Sequence, residues 1–292
     1  MRDRACDRLH QSNASMWLCR KSGPSPHPPS RRERERVDRS FDAPGRATTT
    51  PCIPYPLPLV RDKEPHAVIR FDQVSKRYEG GHEALSQLSF EVAAGEMAFV
   101  TGHSGAGKST LLKLIALIER PSHGQIVVDG QALAKVGRGG IPKLRRQLGM
   151  VFQDHRLLMD STVFANVELP LLIGGIAPTE RSRRVRAALE KVGLLSYERQ
   201  LPDSLSTGEQ QRVGIARAIV ACPAVLIADE PTGNLDPQLA VEIMGLFAEF
   251  QDIGTTVLVA SHDLPLIKRM KKRVVVLDHG RLVADIPAEE VL

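Results

Sequence analysis

The chain has 292 residues, 42% of them apolar and 25% charged, which is enough material for one large domain with a buried core. No stretch reaches the roughly 18 to 20 uninterrupted apolar residues that a spanning helix needs, and the longest runs, residues 225–228 and 257–260, are strand-sized, so a membrane role is expected to be peripheral. The formal charge of +5 is confined to residues 1–67, which hold 13 Lys/Arg and 8 Asp/Glu, while residues 68–292 hold 26 of each; this removes electrostatic support for a nucleic-acid-binding body.

Residues 1–67 also carry ten of the twenty prolines and the run Arg31-Arg32-Glu33-Arg34-Glu35-Arg36, and they read as a disordered, basic, Pro-rich extension. A secretory signal would need an apolar core that is missing, and a transit peptide would avoid acids such as Asp3, Asp7, Glu33 and Glu35. Cys6, Cys19, Cys52 and Cys222 show neither paired metal spacing nor a disulfide framework, so a reducing cytosol is expected.

Ordered patterning begins at Val68. Residues 68–74 alternate apolar and polar side chains, and Leu85, Leu88, Phe90 and Val92 continue in the same way, which predicts an antiparallel subsheet. Residues 96–101 form a short apolar strand that runs into Gly102-His103-Ser104-Gly105-Ala106-Gly107-Lys108-Ser109, and residues 110–118 read as a helix. Those eight residues match the phosphate-binding P-loop at every fixed position, in the strand-before, helix-after context that the motif requires. Glycines let the loop wrap a polyphosphate closely, its N–H groups point inward, and the helix N-terminus adds positive potential. Lys108 is expected on the β- and γ-phosphates and Ser109 on Mg²⁺; Thr110 is counted with the loop as nucleotide-binding, and no side-chain chemistry is claimed for His103, Ser104 or Ala106.

Residues 224–230 form a continuous apolar strand ending in Asp229 and Glu230, the pattern of a buried parallel strand whose carboxyl end meets a ligand. Asp229 is placed to hold Mg²⁺ and Glu230 to polarise an attacking water as general base. Taken alone, either acid could merely cap the next helix.

At this point residues 68–292 resemble an ABC-family nucleotide-binding domain. Tyr78 stands where the family stacks an aromatic on adenine, and Gln153 at its Q-loop glutamine. Ser206-Thr207-Gly208-Glu209-Gln210 fills the signature, Asn234-Leu235-Asp236 resembles the D-loop, and His262 takes the switch-histidine place. The resemblance implies an α/β fold with a RecA-like parallel-sheet core, an antiparallel β-subdomain and an α-helical subdomain over about residues 155–222. It implies ATP and Mg²⁺ as ligands, with Gln153 joining Ser109 and Asp229 at the metal and sensing the membrane partner, and with His262 on the γ-phosphate. It further implies a homodimer in which Ser206, Gly208 and Glu209 of one copy complete the partner copy's site. Thr207 departs from the family, which has glycine there, and this is expected to alter the approach of the backbone to the γ-phosphate. The basic helix around residues 179–192, with Arg181, Arg183, Arg184 and Arg186, reads as a solvated face.

A narrower resemblance is carried by Gly102–Ser109, by Asp154-His155-Arg156-Leu157-Leu158 and by the run from Ala228 to Asp236. It is to the cell-division branch, the FtsE-type ATP-binding proteins, and it implies a peripheral subunit at the cytoplasmic face of the inner membrane. Such a subunit drives an FtsX-like permease, with other division proteins as further partners, towards cell-wall hydrolase activation. The run from Asp229 to Asp236 is shared with lipoprotein-releasing and macrolide-exporting ATPases, and these remain the alternative. DNA-repair relatives insert long coiled coils between P-loop and signature, whereas here the interval is roughly 100 residues; ribosomal relatives carry two cassettes. Proteins of the division branch typically begin at the equivalent of Ile69, so Val68 is expected to mark an alternative initiation codon and residues 1–67 to be a gene-model artefact. Mass spectrometry of the native protein is expected to yield no peptide from residues 1–67.

Overall fold

The computed structural model describes residues 67–233 and 235–291, so the expectations for residues 1–66 and for Asn234 of the D-loop lie outside the described residues. In chain order the strands are β1 (Ala67–Arg77), β2 (Glu83–Ala93), β3 (Met97–Thr101), β4 (His123–Val128), β5 (Gln131–Ala132), β6 (Leu148–Val151), β7 (Val225–Asp229), β8 (Thr256–Ala260), β9 (Arg273–Asp278) and β10 (Arg281–Ile286). The helices are α1 (Lys108–Ile115), α2 (Ile141–Arg146), α3 (Val163–Ile173), α4 (Pro178–Lys191), α5 (Thr207–Ile219), α6 (Pro237–Asp252) and α7 (Leu264–Met270).

Two sheets form. The first, β2-β1-β4-β5, is antiparallel, as the alternating pattern predicts. The alternation is not regular, however. Gln73 sits at φ 48° in a bulge, its N–H donating to Ser89 Oγ at 2.9 Å, and the phase shift lets both Phe71 and Val74 face inward. The second sheet, β10-β9-β3-β8-β7-β6, is parallel except for the antiparallel edge pair β9 and β10.

The unbroken apolar runs in the second sheet follow from burial on both faces. Met97, Phe99, Leu226, Ala228, Val257 and Val259 pack into one core with the helical segments, while Ala98, Val100, Val225, Ile227, Leu258 and Ala260 pack into the other with α1 and the first sheet. Pairing Val100 with Ala260, Asp229 with Ala260 and Val151 with Ala228 brings the carboxyl ends of β3, β8, β7 and β6 level. The glycine loop, the loop bearing Gln153, Glu230 and His262 all leave from that row of ends.

Helix α1 starts at Lys108, two residues before the pattern suggests, because the end of the glycine loop is already its N-cap. It stops at Ile115 rather than Ile118, since Leu117 turns left-handed at φ 49° and Ile118 N–H closes back on Lys113 O at 2.9 Å. Between β6 and β7, α3, α4 and α5 pack through Val163, Val167 and Leu171, Val185 and Leu189, and Val213 and Ile215. The expectation of a solvated arginine face on α4 holds for Arg183 and Arg186, which are exposed, and is corrected for Arg181 and Arg184. Arg181 pairs with Glu168 at 2.6 Å and Arg184 with Glu180 at 2.8 Å, both largely buried, while Arg183 and Arg186 pair with Glu180 and Glu198 at 3.0 Å. Neighbouring acids thus allow these guanidiniums to lie along the subdomain surface. Among the described residues no helix is long and apolar enough to cross a membrane.

Candidate active site

The glycine loop joins β3 to α1, and two of its glycines are demanded by contact. A Cβ at Gly102, φ 148°, would overlap Leu277 O, and one at Gly107, φ 106°, would lie 2.6 Å from Ala84 O. The loop is therefore pressed between the β9–β10 turn and the start of β2, with Gly280 N–H donating to Ala106 O at 3.1 Å. Within it Lys108 is buried. Its Nζ donates to Gly102 O at 2.7 Å and His103 O at 3.2 Å, and stands 3.9 Å from Glu230 Oε1.

Ser109, the next residue, reaches across to β7, its hydroxyl donating to Asp229 Oδ1 at 3.0 Å. Burial pushes the Asp229 carboxyl above its usual range; the hydrogen bond from Ser109 opposes that, and the charge of Glu230 adds to it. Glu230 leaves the strand at φ 49°, with its N–H making the last rung to Ala260 O at 2.9 Å. The left-handed turn of a non-glycine residue is a backbone strain of about 1–2 kcal/mol, held here by the ladder bond. It aims the carboxylate at Lys108 on one side and at His262 on the other, where Nδ1 lies 2.9 Å from Oε2. His262 follows β8, and its ring is exposed.

These side chains surround a cleft of 620 Å³ whose walls include Tyr78, His103, Gln153, Glu230, Gly233 and His262 together with the glycine loop from Ser104 to Thr110. Tyr78 sits just past β1, its hydroxyl 3.3 Å from Thr110 Oγ1 and the Lys76 ammonium 4.8 Å from its ring centroid. Gln153 is exposed on the loop after β6 and also borders a second cavity, of 440 Å³, shared with Ser109, Asp154, Arg156 and Asp229. Ser206, Gly208 and Glu209 line neither cavity. They form the start of α5 as a capping box in which Glu209 N–H donates to Ser206 Oγ at 3.3 Å and Ser206 N–H to Glu209 Oε2 at 2.8 Å. The hydroxyl and backbone N–H of Ser206 hold the Glu209 carboxyl below its usual range. Thr207 is the first helical residue, in ordinary right-handed geometry and exposed, so the position does not need glycine for the fold. His82, Ala84 and Gly233 line the cleft without having been singled out in the sequence. Only the packing of the β1–β2 turn over the loop puts the first two there.

The donor set fits a nucleoside polyphosphate and a hard divalent cation. A buried ammonium whose nearest carboxylate oxygen is 3.9 Å away is an anion site in need of an anion. A hydroxyl and a carboxylate 3.0 Å apart, the carboxylate destabilised by burial, are the oxygen ligands that Mg²⁺ takes alongside phosphates and water.

The ABC transporter family profile matches residues 85–233, and the cell-division ATP-binding protein FtsE of Escherichia coli strain K12 is 57% identical over 215 residues, 74% of this chain and 97% of that protein. The chain belongs to the ABC transporter family, in its FtsE branch. Another ABC protein, the methionine import ATP-binding protein MetN of Caulobacter vibrioides, is 45% identical over 226 residues, 77% of this chain but 68% of its own length. Among solved ABC structures, the dimeric post-hydrolysis state of the cassette MJ0796 bound to ADP and Pi superposes with a TM-score of 0.72. It is 31% identical, covering 75% of this chain and 98% of that one. This ABC chain is an ATPase cassette with the P-loop fold of its relatives.

The contact geometry of the loop sets an order among its glycines. Gly105→Ala and Gly107→Ala both place a side chain at positive φ, but space around Gly105 is open while Gly107 meets backbone. Gly107→Ala is expected to lower the thermal unfolding midpoint and weaken nucleotide binding more than Gly105→Ala, as read by calorimetry and equilibrium nucleotide titration. Equal effects would remove the packing argument.

Proposed function

We propose that the chain is the ATP-driven subunit of a cell-division complex, in which two copies close on ATP and pull on a membrane-embedded, FtsX-like permease. The observation that carries this reading is the convergence of Lys108, Glu230 and His262 at the ends of three neighbouring strands, around a cleft built from the glycine loop.

The adenine stacks on Tyr78, whose hydroxyl meets Thr110 and whose ring has the Lys76 ammonium over one face. The polyphosphate lies along the N–H groups of residues 102–110, and Lys108 exchanges its two carbonyl acceptors for the β- and γ-oxygens. Ser109, Asp229 and Gln153 would hold Mg²⁺, which when bound neutralises charge on those oxygens. Glu230 accepts the proton of the attacking water. His262, already bonded to Glu230, steadies that carboxylate and reaches the γ-phosphate. Ser206, Gly208 and Glu209 stand away from the cleft of their own chain, as residues that complete the partner copy's site would.

The permease contact is assigned to residues 154–167. Leu158 and Met159 are exposed there, and Leu172 and Ile173 at the end of α3 add further unpartnered apolar surface. The chain then works peripherally, at the cytoplasmic face of the inner membrane, and relays force towards cell-wall hydrolase activation, with other division proteins as further partners. Likeness to FtsE over nearly the whole of that protein supports this reading over import or export.

Glu230→Gln is expected to slow ATP turnover by about 10²-fold or more while keeping ATP affinity and accumulating an ATP-bound dimer; Lys108→Ala is expected to lose affinity instead. A Glu230→Gln protein that hydrolyses ATP as fast as the parent would falsify the assignment of the base. Tagging the chain in its native host, solubilising membranes gently and identifying what co-purifies is expected to yield a four-span cell-division permease. Recovery of a lipoprotein-release or export permease would leave the ATPase in place and overturn the division role.

A further inference from the structure

The nucleotide chemistry above uses the backbone of His103 and leaves its side chain without a task. That imidazole faces Asp278, at the end of β9, and His279, in the turn to β10, and these three form the one group of three or more ligand-type side chains found close enough to share a metal ion among the described residues. His103 Nε2 is 3.0 Å from Asp278 Oδ1, His279 Nε2 is 3.8 Å from the same oxygen, and the three ligand atoms all lie within 4.8 Å of one another. The two rings stand 4.7 Å apart, tilted by 55°.

The arrangement is oriented as a metal site needs. His103 places Nδ1 2.6 Å from Ser104 O and Nε2 3.0 Å from Asp278 Oδ1, so both ring nitrogens are held by oxygen atoms and the ring's orientation is fixed; a metal ion at Nε2 would take the place of a proton there. A backbone acceptor on the far nitrogen is what fixes ring and tautomer in metal-bound histidines. With Zn–N and Zn–O bonds of about 2.0–2.2 Å, a tetrahedral site has ligand atoms about 3.3 Å apart. The 3.0 and 3.8 Å separations bracket that value and the remaining pair lies within 4.8 Å, so closing the site needs a side-chain rotation that the exposure of all three residues permits. All three residues are exposed, so water can fill the fourth position.

We infer that His103, Asp278 and His279 bind one divalent transition-metal ion of the zinc class, which ties the phosphate-binding loop to the β9–β10 turn. Two imidazoles and one carboxylate select zinc, cobalt, nickel or copper over Mg²⁺, so this site and the oxygen site at Ser109 and Asp229 do not compete for the same ion. The ion would reinforce a junction that backbone already marks: Gly280 N–H donates to Ala106 O at 3.1 Å, and Gly102 packs directly on Leu277 O.

The test is calorimetric titration of the full chain, free of nucleotide, with Zn²⁺, and absorption spectroscopy of the same protein with Co²⁺. The parent is expected to bind one more equivalent of Zn²⁺ than His279→Asn, and to lose its visible tetrahedral Co²⁺ bands in that variant. Asparagine tolerates the left-handed backbone of position 279, φ 43°, so His279→Asn is expected to fold and to hydrolyse ATP in Mg²⁺ buffer at the parental rate. Asp278→Asn is expected to lower Zn²⁺ affinity at least tenfold and provides the same comparison should His279→Asn not fold. Equal stoichiometry and affinity in parent and variants, or no binding by the parent, would show that the cluster is a His103–Asp278 hydrogen bond and nothing more.

Discussion

The register of the parallel ladder is the constraint on which the site depends. Because Val100, Ala260, Asp229 and Val151 lie at matching heights, the residues that follow them leave the sheet side by side. The glycine loop, His262, Glu230 and the loop bearing Gln153 come from four separate parts of the chain, yet they share one edge. A slip of one residue in any of these strands would turn its inward side chains to the opposite core and lift its functional residue out of the row. That slip is opposed from both faces, since alternate residues of β3, β7 and β8 are committed to different hydrophobic cores. The precision of the site is therefore derived from ordinary apolar packing at a distance from it.

Against that rigid edge, the site itself is set in tension. Lys108 is a buried cation resting on two carbonyls, Asp229 is a carboxylate whose burial disfavours its charge, and Glu230 takes a left-handed turn that its side chain does not favour. None of these is explained by the stability of the empty fold. On the proposed function each would be relieved by what a polyphosphate and a hard cation bring: anionic oxygens for Lys108, positive charge for Asp229, and a proton source for Glu230. Local strain of a few kcal/mol is affordable where ladder bonds such as Glu230 N–H to Ala260 O hold the backbone in place.

Much of this was legible in the sequence, for reasons that differ between elements. The glycine loop could be read because its spacing is fixed by local backbone geometry, and β7 and β8 because strands buried on both faces must be apolar throughout. The first sheet was legible in outline only, since the bulge at Gln73 breaks the alternation and its cause, a hydrogen bond to Ser89 on β2, lies 16 residues away. The surroundings of α4 misled in part, because Arg181 looks as solvated as Arg183 and Arg186 until Glu168 is placed beside it by tertiary packing. The walls supplied by His82 and Ala84, and the meeting of His103 with Asp278 and His279, were beyond any local pattern.

The loop after Gln153 shows most plainly why such parts stay unreadable. His155 and Arg156 both adopt positive φ, which neither residue type requires. What holds them is Arg217, near the end of α5, whose largely buried guanidinium donates to His155 O at 2.6 Å and to Arg156 O at 2.7 Å. Hydrogen bonds from a charged donor contribute roughly 1.5–3 kcal/mol each, comparable to the strain they hold. The conformation of the Gln153 loop is thus written in a helix some sixty residues later in the chain, and that same helix is capped by Ser206. Helix and loop cannot shift independently without breaking both bonds, so the loop bearing Gln153 and the capping box at the start of α5 belong to one mechanical unit.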